Sequence, residues 1–137
     1  NRLVEVKEGS AVIAEYAYDA LTRRIAVTNS TETRRYYFDL QWRPLEERVG
    51  GVVKSQYVWD PYDRWNLLAR KRSVSGTLDE TRYVLRDYLD PVAVVDQTAA
   101  VVERYGYEAF GPVRIMAPDF TARTSSARAS RSASAPR

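Results

Sequence analysis

Any chemistry in this chain must be built from carboxylates, phenols, indoles and guanidiniums. Its 137 residues include no His and no Cys. That removes Ser-His and Cys-His nucleophile pairs, imidazole metal ligands and a near-neutral proton shuttle. It also removes thiolate zinc sites and disulfides. A metal could be held only by carboxylate and carbonyl oxygens, and no dense, evenly spaced carboxylate loop occurs. The dipeptides Asp60-Pro61 and Asp90-Pro91 are the residues best suited to self-cleavage, a chemistry that needs two carboxylates sharing one proton. Both sit where the chain is expected to bend, so they read first as turn acceptors. No catalytic, cofactor-binding or metal-binding residue is assigned, and the chain reads as a non-enzyme.

The spaced chemistry is aromatic. The chain carries ten Tyr, three Trp and three Phe. Rings stand two apart at Tyr16/Tyr18, Tyr36/Phe38, Tyr57/Trp59 and Tyr105/Tyr107, and each pair is followed at once by an acid: Asp19, Asp39, Asp60 and Glu108. A looser copy reads Tyr83 and Leu85, then Arg86 before Asp87. The acids recur about 20 residues apart, apart from one step near 27 across the Ser73–Leu78 region, a period that marks a repeat array. Residues two apart on a strand share a face, so the rings are expected to pack against the same pair in neighbouring strands. Arg23, Arg43 and Arg64 each follow their acid by four residues, placed for a salt bridge across the bend. If exposed, such a pair contributes under about 1 kcal/mol.

Strands must position these residues. Residues 1–8 alternate apolar and charged side chains, as a strand with one buried face does. Further strands are expected at Ala11–Tyr18, Arg23–Thr28, Arg35–Phe38, Pro44–Val49, Val52–Trp59, Trp65–Arg72, Thr81–Arg86, Ala93–Asp96 and Ala100–Tyr107. Gly9-Ser10, Asn29-Ser30 and Asp96-Gln97-Thr98-Ala99 read as turns, and Gly50-Gly51 suits a hairpin with positive φ at both positions. Leu67–Arg72 and Ala99–Arg104 could compete as helices, but neither has an N-cap followed by an amphipathic stripe. No helical crossover of the length a parallel sheet needs is visible. The expected fold is all-β: antiparallel hairpin repeats forming a curved or spiralling sheet over residues 1–118, then a disordered Ser/Ala/Arg-rich tail over 119–137. A chain of this length can bury roughly two thirds of its unfolded surface in a core.

Charge and targeting add limits. The net charge is +3, and residues 121–137 carry four Arg and no acid, leaving −1 for the rest. A near-neutral folded part argues against an extended nucleic-acid face, and the tail reads as a solvated linker. No apolar run is long enough to span a bilayer, and no signal peptide opens the chain. The first residue is Asn rather than Met, so the chain reads as a fragment.

Tyr18-Asp19-Ala20-Leu21-Thr22-Arg23-Arg24 resembles the tyrosine-aspartate (YD) repeat of RHS proteins: Tyr-Asp, two residues, Gly, Arg. Arg82–Pro112 resembles the RHS repeat-associated core domain, through Asp87, Leu89, Val92, Asp96, Val102, Arg104, Tyr105, Tyr107, Glu108, Phe110 and Gly111. The resemblance covers about residues 11–116. Family bends carry Gly where this chain has Thr22, Trp42, Asp63 and Asp90, so positive φ there would be strained, worst at Thr22. The core domain's His is replaced in a neighbourhood holding Arg86 and Tyr88, and the family's downstream Asp-Pro-x-Gly motif is missing, which suits a diverged or truncated copy. The resemblance implies a structural segment of a β-shell that encloses a C-terminal toxin or effector. Its partners would be neighbouring repeats of the same polypeptide and the toxin cargo, with no cofactor. It also implies a secreted or cell-surface protein, cytoplasmic before export or as a fragment. Two alternatives are a cell-surface carbohydrate-binding module, in which the Tyr and Trp faces stack on a glycan, and an autoproteolytic core domain.

Overall fold

A computed structural model of the chain describes residues 2–109 and 112–123. Phe110 and Gly111, expected at the turn of the core motif, lie outside the described residues, as does the tail from 124 onward. The described residues contain eleven strands and no helix. They divide into two compact units, residues 1–81 and 82–137.

The first unit holds β1 (Glu5–Glu8), β2 (Ala11–Tyr18), β3 (Arg24–Asn29), β4 (Thr33–Phe38), β5 (Pro44–Val49), β6 (Val52–Trp59) and β7 (Leu67–Arg72). Each pairs antiparallel with the next. The second is built from β8 (Glu80–Arg86), β9 (Pro91–Asp96), β10 (Val101–Tyr107) and β11 (Val113–Met116), again paired in chain order. Both segments that could have competed as helices are strands. The final strand β11 lies beyond the last strand expected, Ala100–Tyr107. In the structure Glu108 N–H is bonded to the Pro112 carbonyl at 3.1 Å, and β11 pairs antiparallel with β10.

Bends alternate between two margins. On one, Gly50 and Gly51 adopt φ of 57° and 85° as the hairpin signal requires. The long Ser73–Asp79 connection is organised by Asp79, which accepts from Val74 and Ser75 N–H at 2.8 and 3.0 Å and from the Ser75 hydroxyl. Those bonds, the Ser75 hydroxyl foremost, hold its carboxyl down at about 2.

The other margin carries the acid-led bends. In β2, β4, β6 and β8 the register slips just before the acid, at Ala17/Tyr18, Tyr37/Phe38, Val58/Trp59 and Leu85/Arg86, whereas β10 meets β11 with no slip. A bulge of this kind bends the strand and increases its twist. That slip places the fourth copy: Val84 and Arg86 are half-buried in phase with Asp87, while Tyr83 and Leu85 are exposed on the opposite face. The expected Tyr83/Leu85 pair is therefore one residue out of register.

The core is thinner than the chain length allows. Among the described residues only four apolar side chains are buried: Ala69 in the first unit, and Ala93, Val94 and Val95 in the second. Each unit is one sheet layer. A single sheet layer leaves both faces partly wet unless another element covers them.

Thr22 and Trp42 adopt φ of 67° and 68°, so the strain expected there is present. Asp63 and Asp90 escape it because their bends have other lengths: Asp60 closes on Asn66, and Asp87 on Asp90. The left-handed conformation costs a side-chain-bearing residue about 1–2 kcal/mol, and Gly loses about 0.5–1 kcal/mol in extra unfolded-state freedom. Thr22→Gly is therefore expected to stabilise the chain by about 0.5–1 kcal/mol, and Thr22→Val to destabilise it, in urea unfolding followed by Trp fluorescence in dilute solution.

Candidate functional site

The residues with the most specific geometry form a ladder along the acid-led margin of the first unit. Asp19 opens its bend by accepting Leu21 N–H and Arg23 N–H on Oδ1, both at 2.9 Å. Its Oδ2 takes the Arg23 Nε–H at 2.6 Å. The same guanidinium then donates from Nη1 to the main-chain carbonyl of Asp39 at 2.6 Å, in the next bend of that margin. It also lies over the Phe38 ring at 5.3 Å.

The next rung repeats this atom for atom. Asp39 Oδ1 accepts Gln41 and Arg43 N–H at 2.8 and 2.9 Å, and Oδ2 accepts Arg43 Nε–H at 2.6 Å. Arg43 Nη1 reaches the Asp60 carbonyl at 2.9 Å, and its guanidinium lies 5.9 Å from the Trp59 ring. Positive φ at Thr22 and Trp42 turns the bend so that the following N–H faces the carboxylate.

Side-chain exposure of 14–20 % at both pairs decides how they should be weighed. They are not the exposed ion pairs that contribute under about 1 kcal/mol. Partial desolvation would raise the Asp19 and Asp39 carboxyls, but the Arg23 or Arg43 bonds and charge outweigh it and hold both below their ordinary values.

The third bend departs from expectation. Arg64 does not bridge to Asp60. Two extra residues carry it outward, where it lies 4.4 Å from the Trp65 ring and donates to the Gln41 carbonyl at 3.2 Å. Asn66 takes the arginine's place, closing the bend on Asp60 and donating Nδ2–H to Asp60 Oδ2 at 3.0 Å. Tyr62 and Asp63 N–H occupy Oδ1, and these bonds keep the Asp60 carboxyl below its ordinary value. A carboxylate so engaged is an acceptor in a turn.

In the second unit Asp87 caps a shorter bend, accepting Leu89 and Asp90 N–H at 3.0 and 2.9 Å. Asp96 accepts Thr98 and Ala100 N–H at 2.9 and 3.1 Å on the opposite margin. Glu108 closes on Pro112 and lies 3.7 Å from Arg114, both exposed.

The aromatic pairs occupy one face, as their spacing requires: Tyr16, Tyr18, Tyr36, Phe38, Tyr57 and Trp59 are all half-buried. Return strands β3 and β5 lie between the strands that carry successive pairs. Guanidiniums fill the space. The second ring also anchors by its polar tip: Tyr18 Oη donates to the Leu3 carbonyl, Trp59 Nε1 to Pro44 and Tyr107 Oη to Pro91, at 2.7–2.8 Å. The rings most open to a ligand are at the bends instead: Trp42, Tyr62 and Trp65 in the first unit, and Tyr88 and Phe120 in the second.

Sequence reasoning missed the buried charges on the aromatic face. Glu47, 7 % exposed, faces Ser55 across β5–β6 and pairs with Arg34, which also holds Glu32 at 2.6 Å. In the second unit Glu103 is fully buried, bonded by the Tyr105 hydroxyl, with Arg123 at 3.8 Å. The signal was available: Arg34 and Glu103 each stand two residues before a ladder Tyr, and so share its face.

Two outcomes follow from the ladder. Arg43→Ala should destabilise by about 2–3 kcal/mol, and Arg43→Lys should recover less than half of that, because an ammonium cannot serve Asp39 and Asp60 with a planar fork. Phe38 alone among the first unit's second rings lacks a polar tip. By analogy with Leu3 and Pro44, the Arg24 carbonyl faces it, so Phe38→Tyr should stabilise by about 0.5–1 kcal/mol. Urea midpoints at constant slope check both.

No family model matches this chain, and no curated protein matches it.

Proposed function

We propose that this chain is a structural repeat segment of the RHS type, part of the wall of a β-shell that encloses and presents a C-terminal toxin or effector. The observation that carries the reading is the ladder. The same carboxylate–guanidinium–carbonyl–ring rung occurs at two successive bends, led by Asp19 and Asp39, and such a device suits extension of a sheet by repetition. The motif run from Tyr16 to Glu108, with its core-like segment, supports the family; the thin cover over each sheet supports a wall rather than an independent globule. In this reading the partners are neighbouring repeats of the same polypeptide, and the protein is exported or displayed at the cell surface. The role is mechanical, and no residue is assigned to catalysis.

A wall segment taken alone exposes sheet edges that invite pairing. Sedimentation velocity should find the 137-residue chain self-associating as concentration rises. The same chain joined to its neighbouring repeats should be monodisperse. A stable, monodisperse monomer of the isolated chain at every concentration would overturn the reading.

A further inference from the structure

The turn between β3 and β4 uses an amide where its counterparts use a carboxylate. Asn29 Oδ1 accepts Thr31 N–H, the Thr31 hydroxyl and Glu32 N–H at 2.9, 2.8 and 2.9 Å. Asp96 accepts Thr98 N–H and the Thr98 hydroxyl in the same way, at 2.9 and 2.7 Å. So does Asp119 with Thr121, at 3.1 and 2.7 Å. A turn of this kind needs only an acceptor oxygen, and a carboxylate supplies it. Asn29 offers an Nδ2 amide as well, and that group meets no acceptor among the described residues. Asn29, Ser30 and Thr31 are all exposed. Of the three Asn in the chain, Asn29 alone has Ser or Thr two residues on, with no Pro between.

We infer that Asn29 is a modification site, the acceptor of an N-linked oligosaccharide delivered from a lipid diphosphate carrier. Asn-x-Thr is the pattern such transfer requires. In the reaction Nδ2 forms a bond to the anomeric carbon as that carbon's bond to the diphosphate oxygen breaks. The diphosphate leaves with the electron pair, and the Nδ2 proton passes to a base of the transferase. Transfer to a threading chain needs the motif alone, but the folded chain must then leave room for the sugar. It does. Beside Asn29 lies an open cavity of about 200 Å³, lined also by Val12, Ile13, Glu15, Thr28 and Ser30. Val12 and Ile13 are 43 % and 46 % exposed, and they offer apolar cover to the C–H face of a first sugar. From the wall-segment reading the inference takes only that the chain is exported.

Cell-free translation of the full chain behind a cleavable export leader, with endoplasmic-reticulum microsomes, reads the transfer. The fraction sheltered from added protease should show one mobility shift, removed by peptide N-glycosidase with conversion of Asn29 to an aspartate. Asn29→Asp keeps the turn's acceptor oxygen and should lose the shift entirely, as should Thr31→Val. Thr31→Ser should keep it. After detergent, limited proteolysis of the glycosylated chain should give the same fragments as the unglycosylated one, as an exposed site requires. No shift in the sheltered fraction, a shift that survives Asn29→Asp or Thr31→Val, or a glycosylated chain digested as an unfolded one would overturn the inference. Because the leader supplies export, this result stands apart from the sedimentation test of the wall-segment proposal, and either can fail alone.

Discussion

A guanidinium shared between two successive bends is the contact on which the first unit's regularity depends. Backbone pairing fixes the distance between adjacent strands but says little about bends two strands apart. Arg23 and Arg43 supply that missing restraint. Each holds its own bend through a carboxylate and the next bend through a carbonyl. The ring beneath each guanidinium covers its face and adds a cation–π attraction. The rung is built on one strained position, Thr22 or Trp42, and the strain is the cost of aiming the following N–H at the carboxylate.

Electrostatics carries more of this fold than of an ordinary domain. Four small apolar residues are the whole buried apolar set among the described residues, whereas Glu47 and Glu103 are buried charges. Burying a charge is costly unless it is paired and hydrogen-bonded. Glu47 has Arg34, and Glu103 has the Tyr105 hydroxyl and Arg123 nearby. The aromatic face is thus an alternation of rings and ion pairs. Its rings are kept in register by side-chain tips bonded to carbonyls on the preceding strand.

Much of this was legible in the residues. Aromatic pairs two apart marked the shared face, acids marked the bends, and Gly50-Gly51 marked its hairpin. Val52–Trp59 and Pro44–Val49 are strands over the expected spans. The misses come from how the copies are counted against their acids. Arg64 keeps the four-residue spacing, but the two additional bend residues hand its role to Asn66. Tyr83 and Leu85 look like a ring pair, yet the positions one and three before Asp87, where the other copies hold their rings, are Arg86 and Val84.

Local chemistry was therefore determined by the sequence alone: alternation sets which side chains share a face, and short polar side chains with left-handed residues set where the chain reverses. These are properties of a few consecutive residues. Only the tertiary structure decided which Arg meets which carbonyl and which rings lie under cations. Those contacts join atoms some sixteen or more residues apart, and their distances are set by the return strands between them, which no spacing within a single repeat encodes.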